Sequence, residues 1–455
     1  MPPQALPEDL IKPLLEQLED TADLCRCARV SQAFHQSSVV VLYRNVHVRD
    51  LTVRRDVRGE LELVHPCSTL LLKPWYAKQT SLLAALVASL DPELIMDCLA
   101  ALRLCTNLRS FTWTSPANVR ANRLDKVLAD YLYVIKRLRV PSLSIAAPLG
   151  VTPTIISNLM CMDDLREIAV HTKDADFIRT ESMAAALRQK VTHLDFLVGK
   201  CNEKESYPSF FTRIPRLLSL YLREAKSHAV LDVLTVLPDL LSLKTHYIPQ
   251  SPWTFSSKPS SRLRHLEVHI FNGQVLNMWD WIHHIVPHAS SLESFIIRDP
   301  AVTSKTGAYR FPYEWTVPSS FFHKLAETHG SSLKCLILDG LHVTPEDFKF
   351  ICEQFLALQW FTVHIAGQCT DAMSNIIQKA RELKFLAVGF QSKLPPNSAA
   401  QHAGTWMHRG SSKLTLAAIR DELFEGKWVH RQSAAEFEVV SKEIKGNVYG
   451  WQPDA

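Results

Sequence analysis

The feature that most restricts the fold of this 455-residue chain is a six-residue pattern that recurs along most of its length. In each copy an apolar residue is followed by two variable residues, a second apolar residue, one variable residue and a third apolar residue. The copies begin at Leu108, Leu165, Val191, Leu217, Leu240, Leu263, Leu292, Leu333, Leu358 and Leu383. This alternation is typical of a strand with one buried face. Ten copies at a near-constant period predict a repeat array rather than one irregular α/β domain.

The segments between the copies have apolar residues at helical spacing. This spacing predicts helices within Ser81 to Leu104, within Leu276 to Val286 and after Pro345. A weaker copy of the strand pattern begins at Ile135. Because parallel strands need crossover connections of about a dozen residues or more, these gaps favour parallel pairing. We therefore predict an α/β solenoid between about residues 51 and 390, with parallel strands lining its concave face.

The array resembles leucine-rich repeats, in which each repeat supplies a strand and a returning segment. The resemblance is degenerate, because the Asn or Cys that usually follows the strand in that family is missing. In its place stand Pro116, Lys173, Ala225 and Ile248. These substitutions predict irregular turns and a less uniform array.

Two insertions interrupt the repeat period, one at residues 248–262 and one at residues 299–320. The second insertion contains four aromatic residues, which are Tyr309, Phe311, Tyr313 and Trp315. Aromatic side chains on the loops of a rigid scaffold are candidates for partner recognition. The alternative is that these rings fold back and cover the array.

The strand pattern ends near Gly389, and residues 391–455 begin with a polar segment. Leu416, Ile419 and Leu423 then recur at a spacing that predicts one helix. We expect these residues to form a C-terminal cap with a loose linker.

The first fifty residues predict three short helices. Ile11, Leu14 and Leu15 lie at the spacing of one apolar helical face. Asp20 and Ser31 are suitable N-caps for the second and third helices. So small a unit buries little apolar surface by itself, so it should either cap the array or bind a partner.

The same segment resembles an F-box motif over residues 6–46. The matching apolar positions are Leu6, Pro7, Leu10, Ile11, Leu14, Leu15, Leu18, Leu24, Val30 and Phe34. The segment departs from the family at Phe34, where many F-boxes have Trp, and at Pro13 inside the first helix. The resemblance implies that these residues bind a Skp-type adaptor, which joins such proteins to a cullin.

An F-box followed by leucine-rich repeats is a known family architecture, common in fungi among others. The resemblance implies a substrate-recognition subunit of a Skp–cullin–F-box ubiquitin ligase. Residues 1–50 would bind the adaptor, residues 51–390 would bind the target, and residues 391–455 would form the cap. The alternative is a leucine-rich-repeat interaction scaffold outside any ubiquitin ligase. A third possibility, an enzyme on an irregular α/β fold, has little support.

Composition and motifs argue against several other classes of protein. A formal net charge of +4 without blocks of like charge predicts no nucleic-acid-binding face. The longest apolar stretch is too short to span a bilayer, and the first residues do not resemble a secretory signal. Ten scattered cysteines without a CxxC pair favour a reduced cytoplasmic or nuclear protein with no zinc site. Nucleotide-binding and hydrolase motifs are absent, so we expect no catalytic residues, no metal and no cofactor.

The position directly after each strand pattern is rich in basic residues. Six of the ten copies have His or Arg there, at His171, Arg223, His246, His269, Arg298 and His364. Parallel strands place equivalent positions about 5 Å apart, so these residues predict a basic strip at one rim of the sheet. Since Arg binds carboxylate and phosphate, and His gains charge below about pH 6.5, the strip predicts an acidic or phosphorylated target. The alternative is a strand end that merely tolerates polar residues.

Overall fold

The chain forms two compact units, residues 1–205 with 213–217, and residues 206–212 with 218–455. The structure is a computed structural model. It describes residues 7–18, 20–48, 52–55, 61–86, 92–115, 121–146, 152–171, 181–188, 190–197, 207–223, 225–248, 262–270, 277–286, 291–298, 315–367, 372–390, 398–408, 413–419, 422–431 and 434–442.

The first unit begins with the three predicted helices, α1 (Glu8–Leu15), α2 (Thr21–Cys27) and α3 (Gln32–Leu42). The two predicted N-caps are confirmed. Asp20 Oδ1 accepts a hydrogen bond from the Ala22 amide at 2.8 Å, and Ser31 Oγ accepts one from the Phe34 amide at 3.3 Å. Helix α3 continues through a β-branched run to Leu42, because tertiary burial of that segment outweighs its preference for strand.

The sheet of the first unit contains six parallel strands. In the order of pairing they are β1 (Asn45–Val48), β4 (Leu82–Leu86), β5 (Ser110–Thr114), β6 (Ser142–Ala146), β7 (Glu167–His171) and β8 (His193–Leu197). Between β1 and β4 in the sequence, strands β2 (Thr52–Arg55) and β3 (Leu61–Val64) form an antiparallel hairpin. The other helices are α4 (Pro66–Leu72), α5 (Pro74–Ala77), α6 (Pro92–Leu104), α7 (Ala121–Leu138), α8 (Pro153–Met160) and α9 (Glu181–Leu187).

The second unit repeats the same plan. Eight strands pair in parallel, and they are β9 (Ser219–Arg223), β10 (Ser242–His246), β11 (His265–His269), β12 (Ser294–Arg298), β13 (Cys335–Val343), β14 (Trp360–Ile365), β15 (Phe385–Phe390) and β16 (Leu416–Ile419). Two further strands, β17 (Glu422–Arg431) and β18 (Ala434–Lys442), continue the sheet in antiparallel pairing. The helices are α10 (Tyr207–Phe211), α11 (Ser227–Val236), α12 (Met278–Ile285), α13 (Ser319–His329), α14 (Pro345–Gln354), α15 (Ala372–Ile377) and α16 (Ser398–Met407).

The apolar positions of the repeat pattern form the core of each unit. In the copy at Leu217, that residue and the strand residues Leu220 and Leu222 are all buried, while Ser219 and Tyr221 point to the opposite face of the sheet. The prediction of an α/β, leucine-rich-repeat-like array of parallel strands after three N-terminal helices is confirmed. Among the described helices, none has both the length and the apolar character needed to span a bilayer.

Two assignments in the first unit were wrong. Ile135 lies inside helix α7, whose apolar face imitates the strand spacing, and the true copy begins five residues later at Val140. The segment from Ser81 to Leu104 contains strand β4 before helix α6, so its first part is not helical. The reason is the same in both cases, since a short apolar run fits either period.

The predicted helix at Leu416, Ile419 and Leu423 was also wrong. The first two residues belong to strand β16, which pairs in parallel with β15, and Leu423 belongs to β17. The segment that begins at Leu414 is a further copy of the repeat pattern, with Ala417 and Ile419 at its second and third apolar positions. The sequence analysis missed this copy because its second apolar position is an alanine.

Candidate functional site

The N-terminal helices, α1 to α3, form a small module that divides the F-box-like residues into two groups. Ile11, Leu15 and Leu24 are buried together as the core of the module. Leu18 and Phe34 are partly buried and pack against that core. These five residues therefore hold the three helices together.

The second group faces outward. Leu10, Leu14 and Val30 have exposed fractions of 48%, 53% and 67%, and Pro7 is also exposed. Leu10 and Leu14 are four residues apart on α1 and so share one helical face. We call Pro7, Leu10, Leu14 and Val30 the module surface. Leu6 lies outside the described residues.

The module is attached to the start of the array through residues just before β1 and in helix α5. Arg44 forms a salt bridge with Glu16, and the Tyr76 hydroxyl lies 3.3 Å from Nε2 of His35. The Tyr43 and Tyr76 rings have centroids 4.6 Å apart. Together with the parallel pairing of β1 and β4, these contacts give α1 to α3 a fixed base and leave the module surface exposed.

In the second unit, the strand register brings the predicted basic residues into line. His246 pairs with His269, and His269 pairs with Arg298. Arg223 directly follows Leu222, which pairs with Thr245. His364 pairs with His342, because the register of β13 shifts between Ile337 and His342.

A partly buried carboxylate neutralises the centre of this strip. Glu267 Oε1 lies 2.7 Å from Nε2 of His269, 3.0 Å from Nζ of Lys244 and 3.2 Å from Nε of Arg298. Burial alone would raise the pKa of Glu267, but the hydrogen bond from His269 and the charge of Lys244 outweigh it and lower the pKa to about 2. Two of the six predicted target-binding residues, His269 and Arg298, therefore serve an internal ion network.

The remaining histidines of the predicted set have different surroundings. His246 lies 3.2 Å from the Tyr221 hydroxyl and is buried. Burial, with a contribution from His342, lowers the pKa of His364 to about 4, so this residue adds no positive charge near neutral pH. His171 belongs to the first unit, where its Nε2 lies 3.0 Å from Oδ2 of Asp195.

A groove of about 440 Å³ lies on the exposed face of strands β9 to β13. Its walls and floor include Tyr221, Lys244, Glu267, Glu293, Ile296 and Lys334. Lys334 Nζ lies 2.7 Å from Glu293 Oε2, so each acid in the groove has a lysine partner. An apolar floor with paired charges around it suits an extended peptide of mixed charge. We call this feature the sheet groove.

The sequence analysis missed the sheet groove, because it considered only one position after each strand. The groove is lined in part by the variable residue between the second and third apolar positions of four copies, which gives Tyr221, Lys244, Glu267 and Ile296. Alternation places this residue on the face opposite the core. Aligning that position across the copies is the signal that could have found it.

Comparison with known proteins gives only distant likenesses. No protein-family model matches the chain, and neither does any curated protein sequence. Among solved structures, the Rad7 and Elc1 complex of yeast has a chain that is 10% identical, with a TM-score of 0.40 over 86% of this chain and 91% of that one.

Two bacterial leucine-rich-repeat proteins are also similar. That of Leptospira interrogans is 14% identical, with a TM-score of 0.28 over 70% of this chain and 64% of its own. That of Legionella pneumophila is 12% identical, with a TM-score of 0.35 over 80% and 98%. With TM-scores below 0.5, we draw no functional conclusion from these likenesses.

Proposed function

We propose that this chain is the substrate-recognition subunit of a Skp–cullin–F-box ubiquitin ligase. In this proposal the module surface binds a Skp-type adaptor, which joins the chain to a cullin, and the exposed sheet face binds the target protein. The chain itself has no catalytic role. The proposal implies action in the cytoplasm or nucleus, where such ligases work.

The proposal rests on a set of exposed apolar side chains, which lie on α1 and in the segment after α2. Leu10, Leu14 and Val30 lie on the surface of a module whose core residues match the F-box pattern. Exposed leucines on a fixed helix lose little conformational entropy on binding and bury apolar area, which favours association. A module that served only as a cap would gain nothing from keeping these side chains in water.

The adaptor contact is tested by changing Leu10 and Leu14 together to Asp. Both side chains are exposed, so the chain should fold, while charge in an apolar interface should reduce adaptor binding at least 100-fold, the equivalent of about 3 kcal/mol. Binding of purified Skp-type adaptor is measured by calorimetry. The matched control is Leu72→Asp with Leu356→Asp, which places the same charges at two exposed leucines outside the module.

Two results would contradict this proposal. One is tight adaptor binding by the folded Leu10→Asp, Leu14→Asp variant. The other is failure of the wild-type chain to bind any Skp-type adaptor, which would favour the alternative of an interaction scaffold outside ubiquitin ligases. Circular dichroism verifies that each variant is folded.

Target binding is proposed for the sheet groove and for Arg223 beside it. The Arg223 guanidinium lies 4.4 Å from the centroid of the Tyr221 ring, so a partly buried cation stands at the end of the groove. An acidic or phosphorylated residue in an extended target would pair with this cation. Photo-crosslinking from Ser242, in the groove, should capture the target, and crosslinking from Leu356, outside it, should not.

Arg223→Glu should weaken this capture and leave adaptor binding unchanged. Arg298 is unsuitable for the same test, because its charge reversal would disrupt the pairing with Glu267 and destabilise the sheet. If the Arg223→Glu variant captured the target as well as the wild type does, Arg223 would not take part in target recognition.

A further inference from the structure

Three side chains that suit a soft metal ion meet in the first unit, and none of them belongs to the module surface or to the sheet groove. His65 is the N-cap of α4, Cys67 is the second residue of that helix, and Cys98 lies on α6. One ligand atom from each lies within 4.8 Å of the other two. Because 33 residues separate His65 from Cys98, the spacing along the chain did not reveal the group.

The separation between His65 Nδ1 and Cys98 Sγ fits a tetrahedral metal centre. With zinc–sulfur bonds of about 2.3 Å and zinc–nitrogen bonds of about 2.0–2.1 Å, neighbouring ligand atoms in a tetrahedron are about 3.6–3.8 Å apart. His65 Nδ1 and Cys98 Sγ are 3.8 Å apart. His65 Nδ1 also accepts a hydrogen bond from the Cys67 amide at 3.2 Å.

The surroundings also favour a metal over simple packing of thiols. All three side chains are buried, and the packing of α4 against α6 keeps them together. Two thiolates and one neutral imidazole around a divalent cation have zero net charge, which reduces the cost of burying the ion. Thiolate and imidazole are the ligands that zinc prefers, whereas magnesium and calcium prefer oxygen.

We propose that His65, Cys67 and Cys98 bind one zinc ion, with a water molecule as the fourth ligand. The ion links the start of α4 to α6, and so secures the returning helices next to the N-terminal module. Binding releases the two thiol protons to solvent, and a bond to zinc replaces the hydrogen bond from the Cys67 amide to His65 Nδ1. This role is structural and does not depend on the ligase proposal.

The test uses the full-length chain, purified without chelator. Mass spectrometry of the metal content should find about one zinc per chain, the stoichiometry of a single mononuclear site. Cys67→Ser and Cys98→Ser should each lose the zinc. The matched control is Cys105→Ser, which changes another buried cysteine of the same unit and should retain it.

A second measurement keeps the test independent of how the serine variants fold. The wild-type chain is stripped with chelator and reconstituted with Co²⁺, which should give the near-ultraviolet absorption of cobalt–thiolate bonds. Reconstitution should also protect Cys67 and Cys98, but not Cys25, from alkylation in peptide mapping. A chain that takes up neither zinc nor Co²⁺ would overturn the proposal. A Cys67–Cys98 disulfide in the purified protein would overturn it too.

Discussion

At the scale of single residues, side chains on neighbouring strands of the second unit are fitted closely to one another. Gly389 pairs with His364 across β14 and β15, and a Cβ atom at Gly389 would overlap the His364 imidazole. Gly389 directly follows the pattern copy at Leu383, a position where six other copies have His or Arg. The buried imidazole next to it requires a residue without a side chain.

Gly389→Ala should therefore destabilise the second unit by about 1–3 kcal/mol, the usual cost of overpacking a filled site. Truncating the neighbour in the double variant Gly389→Ala, His364→Ala should relieve the overlap. We expect the double variant to lose less stability than the sum of the two single changes, as measured by urea unfolding. Strict additivity would show that the two residues do not interact.

The ion network at Glu267 gives a second prediction at this scale, with a definite pH dependence. The folded-state pKa of about 2 lies below the ordinary value of 4.5, so the carboxylate stabilises the fold above pH 4.5. This stabilisation is lost as pH falls towards 2, because the unfolded chain then binds a proton that the folded chain does not. Glu267→Gln should cost about 3 kcal/mol at pH 7.

Unfolding of the two proteins is compared at several pH values between 7 and 3. The stability difference between wild type and Glu267→Gln should narrow below about pH 4.5. The control is Glu382→Gln, which removes an exposed carboxylate that pairs with Lys413 and should have little effect. A stability difference between the two proteins that stayed constant from pH 7 to pH 3 would contradict stabilisation by the Glu267 ion network.

At the scale of secondary-structure elements, strand β13 departs most from the repeat. It has nine residues instead of the usual five or six, and its register against β14 shifts between Ile337 and His342. Gly340 lies in that interval with a φ of 76°. A left-handed residue within a strand is typical of a bulge, and here it brings His342 opposite His364.

Gly340→Ala should destabilise the second unit by about 1–2 kcal/mol, because a side chain disfavours this φ. Gly404→Ala is the matched control. Its Cβ would meet no atom within 4 Å, and it lies inside helix α16, where alanine is favoured by up to about 1 kcal/mol. Thermal unfolding should thus show opposite shifts for the two variants. If Gly340→Ala instead raised the unfolding temperature, the left-handed backbone of the bulge would not explain why glycine occupies this position.

At the scale of the whole molecule, the array needs protected ends, as repeat proteins do. The last parallel strand, β16, is followed by the antiparallel pair β17 and β18. Phe385, Ala387 and Ala418 form a buried cluster near this end, against which Trp360, Leu416 and Leu423 pack. The final strands therefore cover the backbone edge of β15, and Leu416 and Leu423 pack against the buried cluster beside it.

A chain that ends at residue 408 lacks β16 to β18 and should expose the edge of β15. We expect a lower unfolding temperature and self-association, since an open strand edge next to an apolar face pairs with other copies. Size-exclusion chromatography with thermal unfolding measures both properties. The control ends at residue 442 and retains every described strand. A monomeric truncated chain with unchanged stability would contradict the capping role.

The sequence alone determined the repeated strands, their parallel order and the presence of three N-terminal helices. Each of these features depends on the local spacing of apolar and polar residues. The alternation that a strand with one buried face requires is present, for example, at Leu217, Leu220 and Leu222. Asp20 and Ser31 likewise cap helices through contacts only two or three residues away.

Only the tertiary structure decided which side chains meet across strands and helices. Glu267 pairs with Arg298, and His65 lies beside Cys98, through contacts between residues that are distant in the chain. Because of the bulge in β13, His364 pairs with His342. The six-residue pattern does not indicate this shift in register. The physical reason is that burial of apolar residues specifies which face of an element points inward, whereas register and long-range packing determine the neighbours of each polar group.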